Sequence, residues 1–159
     1  MTKSANSLLM QGFSWLKTWQ GIAFVSILIF AAFTRFWRLG YPEGYYFDEV
    51  YHVITTKLIA ANDPRAYEWW HAPIEPGTAI DWLHPPLAKL IQAGSIKIVG
   101  NNSLGWRLPS AIFGTGIIVV TFILALELFG PVAAVFSGLV IAFENLNLVM
   151  SRITMNDVF

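Results

Sequence analysis

The sequence predicts an all-α integral membrane protein that crosses the bilayer several times. Three apolar stretches, each close to 20 residues long, are separated by one polar segment and one tight turn. About 20 such residues are needed to cross ~30 Å of hydrocarbon. Only 13% of the 159 residues are charged, whereas 55% are hydrophobic and 15% aromatic. A soluble domain carries about a quarter charged residues, so the composition agrees with the apolar stretches.

The first predicted span covers residues 19–37, which carry no charge before Arg35 and have a tryptophan at each end. Tryptophan is enriched where a helix meets the membrane surface. Lys3 and Lys17 precede the span, as basic residues precede a cleaved signal peptide, but no small-residue cleavage site follows it. The pattern therefore favours an uncleaved signal anchor.

The segment after this span, residues 40–106, contains two stretches with helical periodicity. Residues 48–61 place apolar side chains at helical spacing behind two acids, and residues 84–100 do so behind two prolines. Both are predicted to be helices that lie in the membrane interface, because polar residues occupy their other faces. A membrane crossing at 84–100 would reverse the topology downstream, but the stretch is short and contains two lysines.

The second and third predicted spans cover residues 108–128 and 131–150 and are joined by a tight turn at Gly130. With the N-terminus inside, residues 40–106 form an outer loop. The positive-inside rule supports this orientation only weakly, because the inner turn has no Lys or Arg. The chain ends in polar residues that lead into a new apolar start. This ending predicts the N-terminal part of a longer protein whose C-terminal remainder is missing.

The adjacent acids Asp48 and Glu49 are the first candidate site residues. Acids at membrane depth are costly and usually functional, although an acidic pair at a helix N-terminus is also a common charge arrangement. Neighbouring residues on a helix point about 100° apart, so the two carboxylates are predicted to have different roles. One of them could act as a general base that deprotonates a hydroxyl.

Five further candidates lie where the predicted topology brings the chain to the outer surface. His84 and Lys89 stand in "HPPLAK", and the lysine suits either a phosphate contact or a stem that reaches to the interface. Arg107 suits either a headgroup anchor or a fork that binds a lipid phosphate. Arg152 and Asp157 follow the third span.

Glu144 lies one or two turns inside the third predicted span. An acid at that depth needs a partner. Arg152 is the predicted partner, in an ion pair whose role is left between structural and functional.

Four stretches, in this order and spacing, resemble the N-terminal part of the protein O-mannosyltransferases: "YFDEVYH", "HPPLAK", "GWRLPSAIFGT" and "FENLNLVMSRITMND". The resemblance covers residues 35–159, and four ordered motifs are specific where one alone is weak. It implies a GT-C fold and an enzyme of the outer or lumenal membrane face. Such an enzyme transfers mannose, with inversion, from a polyprenyl-phosphate-mannose donor to Ser or Thr hydroxyls of secreted proteins.

The resemblance also implies roles for the candidates. Asp48 becomes the base toward the acceptor hydroxyl, and Glu49 positions the substrates. Five residues match the family's motifs as substrate-binding residues: His84, Lys89, Arg107, Arg152 and Asp157. Ala88 stands where many members have glycine, and Glu144 where relatives often have aspartate. No cofactor and no metal ligand are predicted, because cationic side chains can stabilise a phosphate leaving group, but a divalent cation is left open.

Two other interpretations are left open. A GT-C transferase of another lipid-linked sugar to a glycolipid, such as an aminoarabinose transferase, shares the acid after the first span and a P-P-L stretch. The adjacent acids followed by "HPPLAK" favour the protein mannosyltransferase. A non-catalytic membrane subunit or a transporter piece explains the spans, but not why ionisable groups from four segments gather on one side.

The composition excludes several classes of function. Ten Lys and Arg balance ten Asp and Glu, so no basic surface predicts a nucleic-acid partner. The chain has no cysteine, which excludes disulfides, thiolate metal sites and a cysteine nucleophile. The expected location is a bacterial plasma membrane or, alternatively, the endoplasmic reticulum membrane. The sequence does not indicate the oligomeric state.

Overall fold

The computed structural model describes residues 14–68 and 70–159, and every regular element in that part of the chain is a helix. The predicted all-α class is therefore confirmed. Met1 and Lys3, on which the orientation argument depends, lie outside the described residues. The elements are α1 (Trp19–Phe36), α2 (Glu49–Ala60), a 3₁₀ turn (Pro64–Tyr67), α3 (Pro86–Val99), α4 (Ser103–Phe129), α5 (Pro131–Phe143) and α6 (Asn145–Met150).

Helices α1, α4 and α5 pack together into the apolar half of the molecule. α1 and α4 contain 18 and 27 residues and are long and apolar enough to cross a bilayer. Their shared core contains Ile27 of α1, Phe122 of α4 and Ala134 of α5. The outward surface of these helices carries large apolar side chains such as Ile29 and Phe136. An apolar patch of this extent suits contact with lipid.

α4 begins five residues before the predicted start of the second span. Asn102 caps it, since its side chain accepts a hydrogen bond from the backbone N–H of Gly105 at 2.9 Å. Such a cap satisfies one of the first N–H groups of the helix, which have no partner inside it. The early start places Arg107 in the second turn of the helix, facing the preceding segments rather than solvent.

Residues 131–150 form two helices rather than one continuous span. α5 ends at Phe143, where Glu144 turns into an extended conformation and caps α6. The Glu144 carboxylate accepts hydrogen bonds from the backbone N–H groups of Leu146 and Asn147 at 2.9 and 2.5 Å. The 13 residues of α5 reach only ~20 Å at 1.5 Å per residue.

The loop region, defined here as residues 37–102, folds over the first turns of α4. Residues 52–56 of α2 are all buried, so α2 is packed on all sides there. The prediction of an interfacial helix is wrong for α2, because its threonines and His52 find polar partners inside the loop region.

Helix α3 has the face arrangement that the sequence predicts. Leu87, Leu90 and Ile98 are exposed at 66%, 50% and 87%, while Lys89 and Gln92 are buried. The apolar face is therefore the outward one, and the polar face binds the rest of the loop region. Contact of this apolar face with a membrane stays a prediction.

Candidate functional site

Glu49, the second of the two acids, is buried and bound to Arg107 by two hydrogen bonds. Arg107 Nε donates to Glu49 Oε1 at 2.8 Å, and Nη2 donates to Oε2 at 2.7 Å. The backbone N–H and the hydroxyl of Thr154 donate to Oε1 at 2.9 and 3.0 Å. The backbone N–H of Tyr46 donates to Oε2 at 2.8 Å. The charge of Arg107 therefore balances this carboxylate, and the five donors together tie the loop region to α4 and to the segment after α6.

Arg107 uses all of its N–H groups within the protein. Besides the two bonds to Glu49, it donates to the carbonyl oxygens of Leu39, Pro42 and Gly44 at 3.3, 2.9 and 2.9 Å. A guanidinium has five N–H donors, and each has an acceptor here. A contact with a lipid phosphate stays a prediction, and it would require one of these acceptors to be displaced. The geometry supports a different role, which is to hold Glu49 and the turn at 39–44.

Asp48 faces a cavity just before α2. Its carboxylate makes no cap hydrogen bond to the helix, and its side chain is half-buried. Phe47 adopts φ +56°, a left-handed conformation that is uncommon outside glycine, so the chain turns sharply before the acid. The cavity has a volume of about 300 Å³. Six polar or aromatic residues contribute to its wall: Asp48, Tyr51, His52, Asp81, Trp82 and His84.

Asp81 is the centre of a second polar cluster, on the wall of this cavity. Its Oδ2 accepts hydrogen bonds from His52 Nδ1 and Asn156 Nδ2 at 2.9 and 3.0 Å. Its Oδ1 accepts one from His84 Nδ1 at 2.9 Å. Burial alone would raise the pKa of Asp81, but hydrogen bonds from the two histidines and from Lys89 hold that pKa well below its usual range. The carboxylate is therefore ionised at neutral pH.

Lys89 supplies the positive charge for this cluster. Its Nζ donates to the carbonyl oxygens of Asp81 and His84 at 2.6 and 3.0 Å and lies 3.1 Å from Asp81 Oδ2. An ammonium group has three donors, and all three are used. The alternative in which Lys89 extends to the membrane interface is wrong, because the side chain is buried beside a carboxylate. The phosphate contact stays a prediction for which this geometry leaves no free donor.

Three residues of the cluster have the arrangement of a possible metal site. His52, Asp81 and His84 each offer one ligand atom, and these atoms lie within 4.8 Å of one another. Imidazole and carboxylate groups are ordinary ligands of Zn²⁺. However, Lys89 already pairs with the same carboxylate, so a dication would add to a positive charge rather than balance an unpaired acid.

Arg152 binds the C-terminal end of α1 rather than Glu144. Backbone carbonyl groups at a helix C-terminus lack partners within the helix and attract a cation. The Arg152 guanidinium donates to three of them: those of Thr34, Arg35 and Trp37. The predicted ion pair is therefore wrong, because Glu144 caps α6 and Arg152 caps α1.

Asp157 does not reach the cavity of Asp48. It is exposed and lies at an apolar groove of about 520 Å³ between the last residues and α4, beside Phe113 and Val120. The structure thus brings His84 together with Asp48, and Arg107 together with Glu49. Substrate binding by Asp157 and Arg152 stays a prediction.

Two residues of the cavity wall, His52 and Asp81, were not singled out from the sequence. His52 follows Asp48 by four positions, a spacing that places both on one face of a helix. Asp81 precedes His84 by three positions in "DWLHPP". The spacing of His52 could have been noticed, but nothing in the sequence indicates that Asp81 would be buried between two histidines.

Comparison with known proteins relates the chain to one family. The family model described as "Dolichyl-phosphate-mannose-protein mannosyltransferase" matches residues 83–159. That range includes His84, Lys89 and Arg107, and it begins after the two acids. No solved structure matches the chain.

Curated relatives come from bacteria and a fungus. The polyprenol-phosphate-mannose–protein mannosyltransferase of Corynebacterium glutamicum is 33% identical over 92% of this chain and 28% of its own length. The protein of that name from Mycolicibacterium smegmatis is 30% identical over 88% of this chain and 27% of its own length. Dolichyl-phosphate-mannose–protein mannosyltransferase 4 of Candida albicans is 29% identical over 85% of this chain and 18% of its own length. The chain thus spans less than a third of each of these relatives.

Proposed function

Because the chain belongs to the dolichyl-phosphate-mannose–protein mannosyltransferase family, we propose that its gene product transfers mannose from a polyprenyl-phosphate-mannose donor to Ser or Thr hydroxyls of proteins. The observation that supports the proposal is the difference in hydrogen bonding between the two adjacent acids. Glu49 is fully hydrogen-bonded inside the protein, whereas Asp48 presents a carboxylate without hydrogen-bond partners, among the described residues, to a cavity.

In the proposed reaction, Asp48 is the general base. Its carboxylate accepts the proton of the acceptor hydroxyl as the hydroxyl oxygen bonds to the anomeric carbon. The bond from that carbon to the lipid phosphate breaks, and its electron pair leaves with the phosphate. Attack opposite the leaving group inverts the configuration in one displacement. The products are the glycosylated side chain, the lipid phosphate and a protonated Asp48 that returns its proton to solvent.

Glu49 and Arg107 act in this proposal by holding the base in place. Their hydrogen bonds fix the residues on both sides of Asp48, from Gly44 and Tyr46 to the start of α2. Catalytic groups need such support, because a base must lie within hydrogen-bond reach of the proton that it removes.

The proposed setting is a membrane surface. α1 and α4 are the described helices that are suited to span a bilayer, and the cavity lies in the loop region beyond their ends. A lipid-linked donor would present its phosphate and sugar at that level. We propose the GT-C architecture and an outer or lumenal face for the site, in a bacterial plasma membrane or the endoplasmic reticulum membrane.

The test is mannose transfer by the full-length gene product in liposomes, with labelled polyprenyl-phosphate mannose and a Ser/Thr acceptor peptide. We expect Asp48→Asn to lower the rate about 10²–10⁴-fold, as loss of a general base does, with normal folding. Asp63→Asn is the matched control, because Asp63 caps the 3₁₀ turn of the same loop region with a side-chain oxygen that asparagine retains.

Three results would contradict the proposal. Transfer to a glycolipid instead of the peptide would favour another lipid-linked sugar transferase. No transfer by the wild-type protein would favour a non-catalytic subunit. Full activity of Asp48→Asn would mean that Asp48 is not the base.

A further inference from the structure

The position of His84 at the cavity of Asp48 depends on one buried carboxylate. The His84 side chain is 35% exposed and lines the cavity, whereas the Asp81 side chain is only 3% exposed. Asp81 Oδ1 accepts from His84 Nδ1 at 2.9 Å and also from the backbone N–H groups of Leu83 and His84, at 3.2 and 3.4 Å. The carboxylate thereby fixes both the imidazole and the turn that carries it.

The charge of Asp81 determines which nitrogen of His84 carries a proton. An ionised carboxylate can only accept hydrogen bonds. Asp81 is paired with the Lys89 ammonium group, 3.1 Å from Oδ2, and its Oδ1 faces the backbone N–H groups of Leu83 and His84, which is the environment of an ionised carboxylate. Nδ1 of His84 must therefore be the N–H group. In the neutral imidazole the other nitrogen, Nε2, then carries the free electron pair.

His52 supports this arrangement from the buried side. Its Nδ1 lies 2.9 Å from Asp81 Oδ2, and its ring meets the His84 ring edge-on with centroids 4.9 Å apart. The Nε2 atom of His52 is buried and has no hydrogen-bond partner among the described residues. A buried polar atom without a partner is unfavourable, so the presence of this nitrogen agrees with a functional rather than a purely structural cluster.

We propose that Asp81 is a positioning residue for His84, so that His84 Nε2 accepts a hydrogen bond from a substrate hydroxyl in the cavity that Asp48 lines. The hydroxyl belongs either to the donor sugar or to the acceptor side chain. This inference rests on the proposed function, and it adds a residue that acts through His84 without touching the substrate.

The experiment is a double-mutant cycle on kinetics of mannose transfer by the full-length gene product in liposomes. The variants are Asp81→Asn, His84→Asn and the double variant. Loss of one hydrogen bond lowers binding by roughly 3–10-fold. We expect each single variant to raise the KM of one of the two substrates by that factor. In the double variant we expect a KM close to that of His84→Asn alone, because Asp81 then has no imidazole to position. A rise in the donor KM assigns the hydroxyl to the sugar, and a rise in the peptide KM assigns it to the acceptor.

Two further variants separate this role from a structural one. In His84→Gln the longer amide reaches the place of Nε2, so we expect partial recovery relative to His84→Asn. Glu75→Gln removes a carboxylate that binds Tyr45 and Lys57 in the same region, and we expect its KM values to stay at the wild-type level.

Opposite results overturn the inference. If Asp81→Asn has wild-type KM values, Asp81 does not act through His84. The same conclusion follows if Asp81→Asn raises KM by the same factor in the wild-type protein and in His84→Asn. These outcomes require that the wild-type protein transfers mannose. If it does not, the proposed function fails first and this inference fails with it.

Discussion

The pair formed by Glu49 and Arg107 allows a quantitative prediction about stability. Glu49→Gln keeps the size of the side chain but replaces one accepting oxygen with an NH₂ donor. The hydrogen-bonding partners of this carboxylate are all donors, from Arg107, Thr154 or Tyr46. The NH₂ group of the glutamine would therefore face another donor and form no hydrogen bond there. Removal of one partner of a buried ion pair costs about 3–5 kcal/mol. We expect the free energy of unfolding to fall by that amount.

Arg107→Met tests the same pair from the other side. It leaves a buried carboxylate without its cation and removes the donors to the carbonyls of Leu39, Pro42 and Gly44. We expect a comparable loss, about 3–5 kcal/mol. In the double variant neither charge remains, so its loss should be smaller than the sum of the two single losses, with a coupling of up to ~3 kcal/mol.

The assay is denaturant unfolding in detergent micelles, compared among the single and double variants. Glu75→Gln is the matched control, because the Lys57–Glu75 pair lies in the same region with side chains 23% and 42% exposed. Such a pair contributes about 1 kcal/mol or less. Additive losses at Glu49 and Arg107, or a loss at Glu49 no larger than at Glu75, would refute the reasoning.

Two further predictions concern packing and topology. Gly114→Ala should destabilise the protein by about 1–3 kcal/mol, because an added Cβ would overlap the side chain of Ser151. The measurement is the same unfolding assay. Gly116→Ala is the control, because its added Cβ would have no atom of the described residues within 4 Å, and equal stability of the two variants would contradict the packing. Cysteines introduced singly at Ala72, which is exposed in the loop region, and at Gly130 should react with an impermeant reagent from opposite sides of the membrane. The chain has no cysteine of its own, so labelling of both from one side would refute the predicted topology.

The sequence predicted the helices well because periodicity and cap residues are local signals. The apolar face of α3 follows from the spacing of Leu87, Leu90 and Ile98, and the structure has the same face outward. The 100° separation of neighbours on a helix predicted different roles for Asp48 and Glu49. The structure gives the two acids different surroundings, and their roles stay a prediction.

Side-chain pairing was predicted poorly because it depends on contacts between distant segments. Lys89 was expected near the interface or a phosphate, but its partner Asp81 is buried by the fold of the loop region. Glu144 was paired with Arg152 on the basis of proximity in sequence. A backbone cap at α6 satisfies the acid instead, and no periodicity could indicate that choice.

The hydrogen bonds from Thr154 to Glu49 span 105 positions in sequence, and this separation has a consequence for the order of assembly. A ribosome adds about 5–20 residues per second, so Glu49 waits roughly 5–20 s for residue 154 to be made. Until then its carboxylate lacks the two donors of Thr154, even after Arg107 has been made. The nascent chain therefore acquires a fixed position for Asp48, the proposed base, only after α4, α5 and α6 have been synthesised. A partly made chain has the acid but not yet the geometry to use it.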